Sequence, residues 1–363
     1  MKKLLAFSGL AVLWSLILPA PVYAAGEFIG ISLATQNEER FYREGYYLYD
    51  KLRKAGFRVE MFYAGDGDVL TQQMQLRRLI DEGCKVLVVG AVDPQALENE
   101  LKLAREKEIK IIAYDMLLMN TDYVDYMVTF NDTMCGYLQG EYLERKLKLR
   151  QASPKNPVHI ELFAGSINDI NSRFLWNGAM NVLLPYINSH ALMVSSGEIA
   201  FEFSATDSWD SYAALQRMEG LIKDYDYKPG GMRKLDAVLS PSDNISEGIM
   251  LALDNAGFKG GDGYPLVTGQ YCHAVNVHSM LENKQRMCIF KDGRLLADAA
   301  LQMIDEITTG RQVTINNDFN YDNGKKIVPA VECNGVVVDI TNYERILVNS
   351  GVMTKEQIAF PYR

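Results

Sequence analysis

The chain has 363 residues, 48% of them apolar and 23% charged, with 37 basic against 46 acidic side chains. That length exceeds what one hydrophobic core usually serves, so two lobes are expected, and the apolar fraction excludes a disordered or collagen-like chain. A formal net charge of −9 argues against DNA or RNA as partner, because neutralising phosphates needs clustered Lys and Arg.

Residues 1–25 differ from the rest. Lys2 and Lys3 form a positive start, residues 4–19 are a nearly unbroken apolar run, and Ala20-Pro21-Val22-Tyr23-Ala24 supplies small side chains before a cut. This pattern predicts a secretory signal peptide cleaved after Ala24, which would place the protein in the periplasm. The five cysteines, Cys84, Cys135, Cys272, Cys288 and Cys333, are widely separated and have no metal-type spacing. Buried free thiols are the favoured reading and one disulfide the alternative, and spacing does not pair them.

From Gly26 onward, short β-type runs alternate with longer amphipathic ones. Strands are expected at 28–34, 58–63, 86–89 and 111–114, with helices at 38–55, 69–82 and 94–107, the last opening on Pro94. After a polar stretch at 151–157 the pattern repeats, with strands at 158–163, 193–198, 237–239 and 266–268. Helices at 171–186, 212–223 and 245–256 separate them. Such alternation predicts an α/β protein of two Rossmann-like lobes, each a parallel sheet covered by helices. Ligands bind such sheets at the carboxyl ends of their strands, so two facing sheets would enclose a cleft.

The turn after the first strand, Thr35-Gln36-Asn37-Glu38, holds no glycine for a dinucleotide, and no phosphate loop, zinc-protease motif or nucleophile elbow occurs. His159, His190, His273 and His278 lack a helical pair spacing. No cofactor, metal or catalysis is therefore expected. The strand ends carry aromatics, amides and single charges instead: Arg40 and Phe41, then Asp115, then Asn131-Asp132. In the second half they carry Asp169, Asn171, Arg173, Trp209, Asp243, Tyr271 and Lys291. Planar forked groups satisfy sugar hydroxyls, and flat rings cover the C–H faces of a sugar. Single positions could equally cap a helix or fill a core; their recurrence in both halves favours a cleft for a monosaccharide-like ligand. An enzyme using Asp115 and Asp243 as acid and base is the weaker expectation.

Several stretches, taken in order, resemble the periplasmic sugar-binding proteins of ABC importers, in the xylose-binding and multiple-monosaccharide-binding branch. They include Ile111-Ile112-Ala113-Tyr114-Asp115, Ile160-Glu161-Leu162-Phe163-Ala164-Gly165-Ser166, Asn177-Gly178-Ala179-Met180 and Phe290-Lys291-Asp292. The resemblance implies a type I periplasmic binding protein with three crossings, near residues 130–133, 289–292 and 312–317. One lobe would then hold 25–131 and 292–312, the other 132–291 and 313–363. It also implies a monomer that traps its ligand by hinge closure and docks on a membrane permease. The same clamshell could report to a membrane sensor instead.

The family's sugar contacts map onto Arg40 and Phe41, and onto Asp115, Asn171, Arg173, Trp209, Asp243 and Lys291. Asn131 and Tyr271 complete the candidate set. Four positions depart from the family pattern. Met116 replaces an arginine, Asn131-Asp132 reverses an Asp-Asn order, Ile170 replaces an amide and Tyr271 replaces a carboxylate. These changes bear on the ligand rather than on the fold.

Overall fold

A computed structural model describes residues 26–361, apart from 37, 38 and 66. The expected signal peptide lies outside the described residues. The chain runs β1 (Phe28–Leu33), α1 (Glu39–Lys54), β2 (Arg58–Tyr63), α2 (Val69–Asp81), β3 (Val86–Val89), α3 (Glu98–Glu106), β4 (Lys110–Tyr114) and β5 (Tyr126–Phe130). It continues through α4 (Asp132–Lys146), β6 (Val158–Leu162), α5 (Ile170–Asn188), β7 (Leu192–Val194), α6 (Phe201–Ser204), α7 (Ser211–Tyr225), β8 (Ala237–Leu239), α8 (Asp243–Asn255) and β9 (Leu266–Val267). The remainder is α9 (Ala274–Leu281), β10 (Cys288–Phe290), α10 (Gly293–Thr308), β11 (Ala330–Cys333), β12 (Val336–Val338) and α11 (Lys355–Ala359).

Two sheets result. The first has the order β11-β5-β4-β3-β1-β2 and the second β7-β6-β8-β9, with every pairing in both parallel. Strand residues alternate between two cores. Val86 and Val88 face α1 and α10 through Leu48, Leu52 and Leu296, while Leu87 and Val89 face α2 and α3 through Leu76, Leu79 and Leu101. Burial on both faces explains why these strands read as unbroken apolar runs. The second sheet is covered by α4 and α5 on one side and by α7 and α8 on the other.

Helix α4 was not among the expected helices, and its packing surface explains why. It lies against α5 through Gly136 and Gly140 rather than through an apolar stripe. A Cβ at Gly136 would run into the Leu175 carbonyl, and one at Gly178 into that of Thr133. Two other expectations are corrected. Helix α3 starts at Glu98 rather than Pro94, because Asp93 closes a turn by accepting the Gln95 N–H at 2.8 Å. The strand expected at 193–198 is shorter, Leu192–Val194, since Ser196 turns away to bond Glu161.

The tail also differs from expectation. Residues 313–363 do not all join the second lobe. Strand β11 pairs with β5 in the first sheet, in the register Ala330↔Met127 to Cys333↔Phe130. The third crossing therefore falls between β11 and β12, not at 312–317, because β12 then pairs antiparallel with β10. With α9 and α11, this ribbon encloses a small core of its own around Val277, Phe290, Leu347 and Ile358.

Candidate functional site

The carboxyl ends of the two sheets meet across a narrow gap. Asp115 follows β4 with a φ of +67°, in the left-handed region that Asp tolerates better than most side chains. Its backbone carbonyl accepts hydrogen bonds from Thr129 Oγ1 at 3.0 Å and from Asn171 Nδ2 at 3.3 Å. Asn171 stands in the first turn of α5, so this second bond joins one lobe to the other. Beside it, Ile170 and Phe174 pack on the first lobe's core, with the Phe174 ring edge-on to Tyr321 at 5.8 Å between centroids. The lobes are thus in contact at this rim.

Asp132 opens α4 and is ion-paired with Lys291, at the junction of β10 and α10. Both side chains are 3% exposed, so the pair is sealed from water. Burial alone would lower the affinity of Lys291 for its proton. The carboxylate of Asp132, helped by Tyr271, Cys135 and Asp115, more than offsets this and holds the ammonium above its ordinary pKa. Its Nζ also lies 5.6 Å from the Phe130 ring centroid and 5.5 Å from that of Tyr271, a cation–π arrangement.

Asp169 caps α5. One carboxylate oxygen accepts the Asn171 N–H at 2.9 Å, and the other accepts the indole N–H of Trp209 at 3.1 Å. Burial pushes this carboxyl up to about 6, against the pull of the Asn171 N–H and with the Asp132 and Asp115 charges adding to the rise. The Trp209 ring lies flat over Gly165, where a Cβ would strike it. Ser208 and Trp209 both have positive φ, 51° and 57°, so a strained turn presents the ring. On the hinge side, a cavity of about 370 Å³ abuts the cluster through Tyr271 and Lys291. Arg43, Glu44, Tyr47 and Cys272 also line it, and its volume falls in the range of about 300–1,000 Å³ usual for small-molecule sites.

Two parallel α/β lobes, three crossings and polar groups converging between the sheets define a clamshell. Residues 29–312 match the family model described as a periplasmic binding protein domain. The chain is a type I periplasmic binding protein. It is 38% identical to a multiple sugar-binding periplasmic protein of Azospirillum brasilense, over 91% of this chain and 90% of that one. It is 36% identical to a multiple sugar-binding periplasmic receptor of Rhizobium radiobacter, over 99% and 100% of the two chains. Among solved structures it is similar to an ABC transporter solute-binding protein of Clostridium phytofermentans with bound β-D-glucose. The TM-score there is 0.83 with 40% identity, covering 92% of this chain and 100% of that one. These relatives are binding proteins, and so is this chain, rather than an enzyme.

Within this periplasmic binding protein the candidate residues separate. Asp115, Asn171, Trp209, Tyr271 and Lys291 are brought together with Asp132 and Asp169. Phe41 lies on the same carboxyl edge of the first sheet, in the first turn of α1, half-buried. Arg40 belongs to that same turn, and its side chain lies outside the described residues. Three candidates are placed elsewhere. The Asn131 side chain caps α4, accepting the Met134 N–H at 2.8 Å and donating to Glu332 at 3.0 Å. The Arg173 guanidinium lies 4.4 Å from the Phe201 ring centroid and pairs with Glu202 at the surface, both about half exposed.

Asp243 is wholly buried inside the second lobe. It accepts from Gln285 Nε2 at 2.9 Å, from the His273 N–H at 2.8 Å and from Cys288 Sγ at 3.2 Å. Burial pushes its carboxyl up, though each of these neighbours favours the charge. It cannot serve as an acid or base opposite Asp115. Asp132 and Asp169 are the residues that the candidate set omitted. Their signal was the run of carboxylates next to the chosen amides, one position away from Asn131 and two from Asn171.

Proposed function

We propose that this periplasmic binding protein captures a monosaccharide-like ligand between its lobes and delivers it to the permease of an ABC transporter. It would act as a periplasmic monomer after removal of residues 1–24. The observation that carries this reading is the cluster at the meeting strand ends, where Asp115, Asp132, Asp169, Asn171 and Lys291 converge and Asp169 holds the Trp209 indole by its N–H. Carboxylates, an amide and an ammonium can each bond a ring hydroxyl in a dry gap, and Trp209 offers a face to ring C–H groups. Its glucose-bound likeness from Clostridium phytofermentans and its sugar-binding relatives support the same chemistry.

The departures from the family pattern acquire a physical reading here. Ile170 gives its place to lobe-to-lobe packing, so closure gains apolar contact where a hydroxyl partner is absent. Tyr271 adds a ring beside Lys291 in place of a carboxylate. We infer a sugar with fewer hydroxyls on that side. Thermal unfolding in the presence of pentoses, hexoses, deoxy-sugars and sugar acids tests the reading. A true ligand at one hundred times its dissociation constant adds about 2.7 kcal/mol of stability. No shift with any of them would sink it.

A further inference from the structure

Spacing along the chain leaves the five cysteines unpaired; the structure brings two of them together. Cys272 and Cys288 are 16 residues apart, and the Cys272 N–H donates to the Cys288 sulfur at 2.8 Å. An N–Cα bond of about 1.46 Å then keeps that sulfur within about 4.3 Å of the Cys272 Cα, a separation compatible with a disulfide. The backbone produces this approach. Residues 269–271 run parallel beside β10, with the Tyr271 N–H donating to the Ile289 carbonyl at 2.8 Å, and positive φ at Tyr271 and Cys272, 97° and 60°, follows where the Cys272 N–H meets Cys288. Cys84, Cys135 and Cys333 have no such partner thiol among the described residues.

We propose that Cys272 and Cys288 form a disulfide in an oxidising compartment, tying the loop that carries Tyr271 to the hinge strand β10. The oxidant is a small-molecule or protein disulfide. One cysteine thiolate attacks it, forming a mixed disulfide and expelling one thiolate. The second then attacks the first cysteine's sulfur and expels the other, so two protons and two electrons leave the protein and the oxidant becomes two thiols.

Cys272 lines the 370 Å³ cavity, which gives an oxidant a route to it, while Cys288 lies fully buried behind. In the folded chain burial and the Asp243 carboxylate hold both thiols protonated, so exchange is slow once the core has closed. The bond should therefore form as the chain folds. Oxidation would remove the S–H donor of Cys288 from Asp243, leaving that carboxylate to Gln285 and the His273 N–H.

The test is refolding of the reduced, denatured full-length protein in a glutathione redox buffer, followed by acid quench, alkylation and peptide mapping. The expected result is a fall from the five thiols of the reduced chain to three, with a peptide linking positions 272 and 288. Cys272→Ser should keep four thiols and form no internal link while still unfolding cooperatively. Refolded protein in which Cys272 and Cys288 are both fully alkylated, or in which another pair is linked, overturns the proposal. This readout uses no ligand, so it can fail while sugar binding stands.

Discussion

Two acidic sites of this protein look alike in sequence and differ in structure. Asp132 and Asp243 each follow a strand and open a helix, and both are buried. The ion pair of Asp132 reaches Lys291 at a crossing between lobes, in a cluster that takes in Asp115 and Asp169. Asp243 finds all of its partners inside the second lobe, in a knot with Gln285, His273 and Cys288. A strand-end carboxylate becomes a ligand candidate when its surroundings come from both lobes. One whose bonds are closed within a single lobe is a piece of core.

Substitutions can break or sharpen this contrast. The largest expected effect is from Asp132→Ala, which strands a buried ammonium and should cost about 3–5 kcal/mol in urea unfolding. An unchanged midpoint would mean that the pair is open to water. Next comes Asp169, whose folded pKa of about 6 lies above the ordinary value of 3.8. The folded state holds this proton more tightly, so stability should fall by about 2–3 kcal/mol as pH rises from 4 to 6 and then level off. Unfolding curves of wild type and Asp169→Asn across that range should differ by this slope, and parallel curves would contradict it.

Asp243→Asn should weaken the fold by about 1–3 kcal/mol by leaving a buried donor poorly met, while sugar affinity stays within twofold. A selective loss of binding would return Asp243 to the cleft. The smallest effect belongs to Arg173→Ala, an exposed pair whose loss should stay within about 0.5 kcal/mol and leave affinity unchanged.

The parallel sheets were legible because strands buried on both faces read as short apolar runs between amphipathic helices. Strands β2, β3 and β8 lie at the expected residues, 58–63, 86–89 and 237–239. What escaped depends on packing and partners rather than on pattern. Helix α4 hides its contact face in glycines, and β11 returns to the first sheet by pairing with a strand some two hundred residues earlier, as Ala330↔Met127 records. At the site, strand ends pointed to the right turns but not always to the right residue. Whether Asn131 or its neighbour Asp132 caps the helix is decided by local bonds to Met134 and Glu332. Arg173 sits one turn along α5, far enough round the helix to face Phe201 and solvent.

Isothermal titration of the purified protein with monosaccharides, alongside its Trp209→Ala variant, tests the interlobe site most directly. The account predicts one saturable site per chain for at least one sugar, weakened tenfold or more when the indole is removed, with the fold intact by circular dichroism. Equal affinity in both proteins would mean that the ligand binds somewhere else.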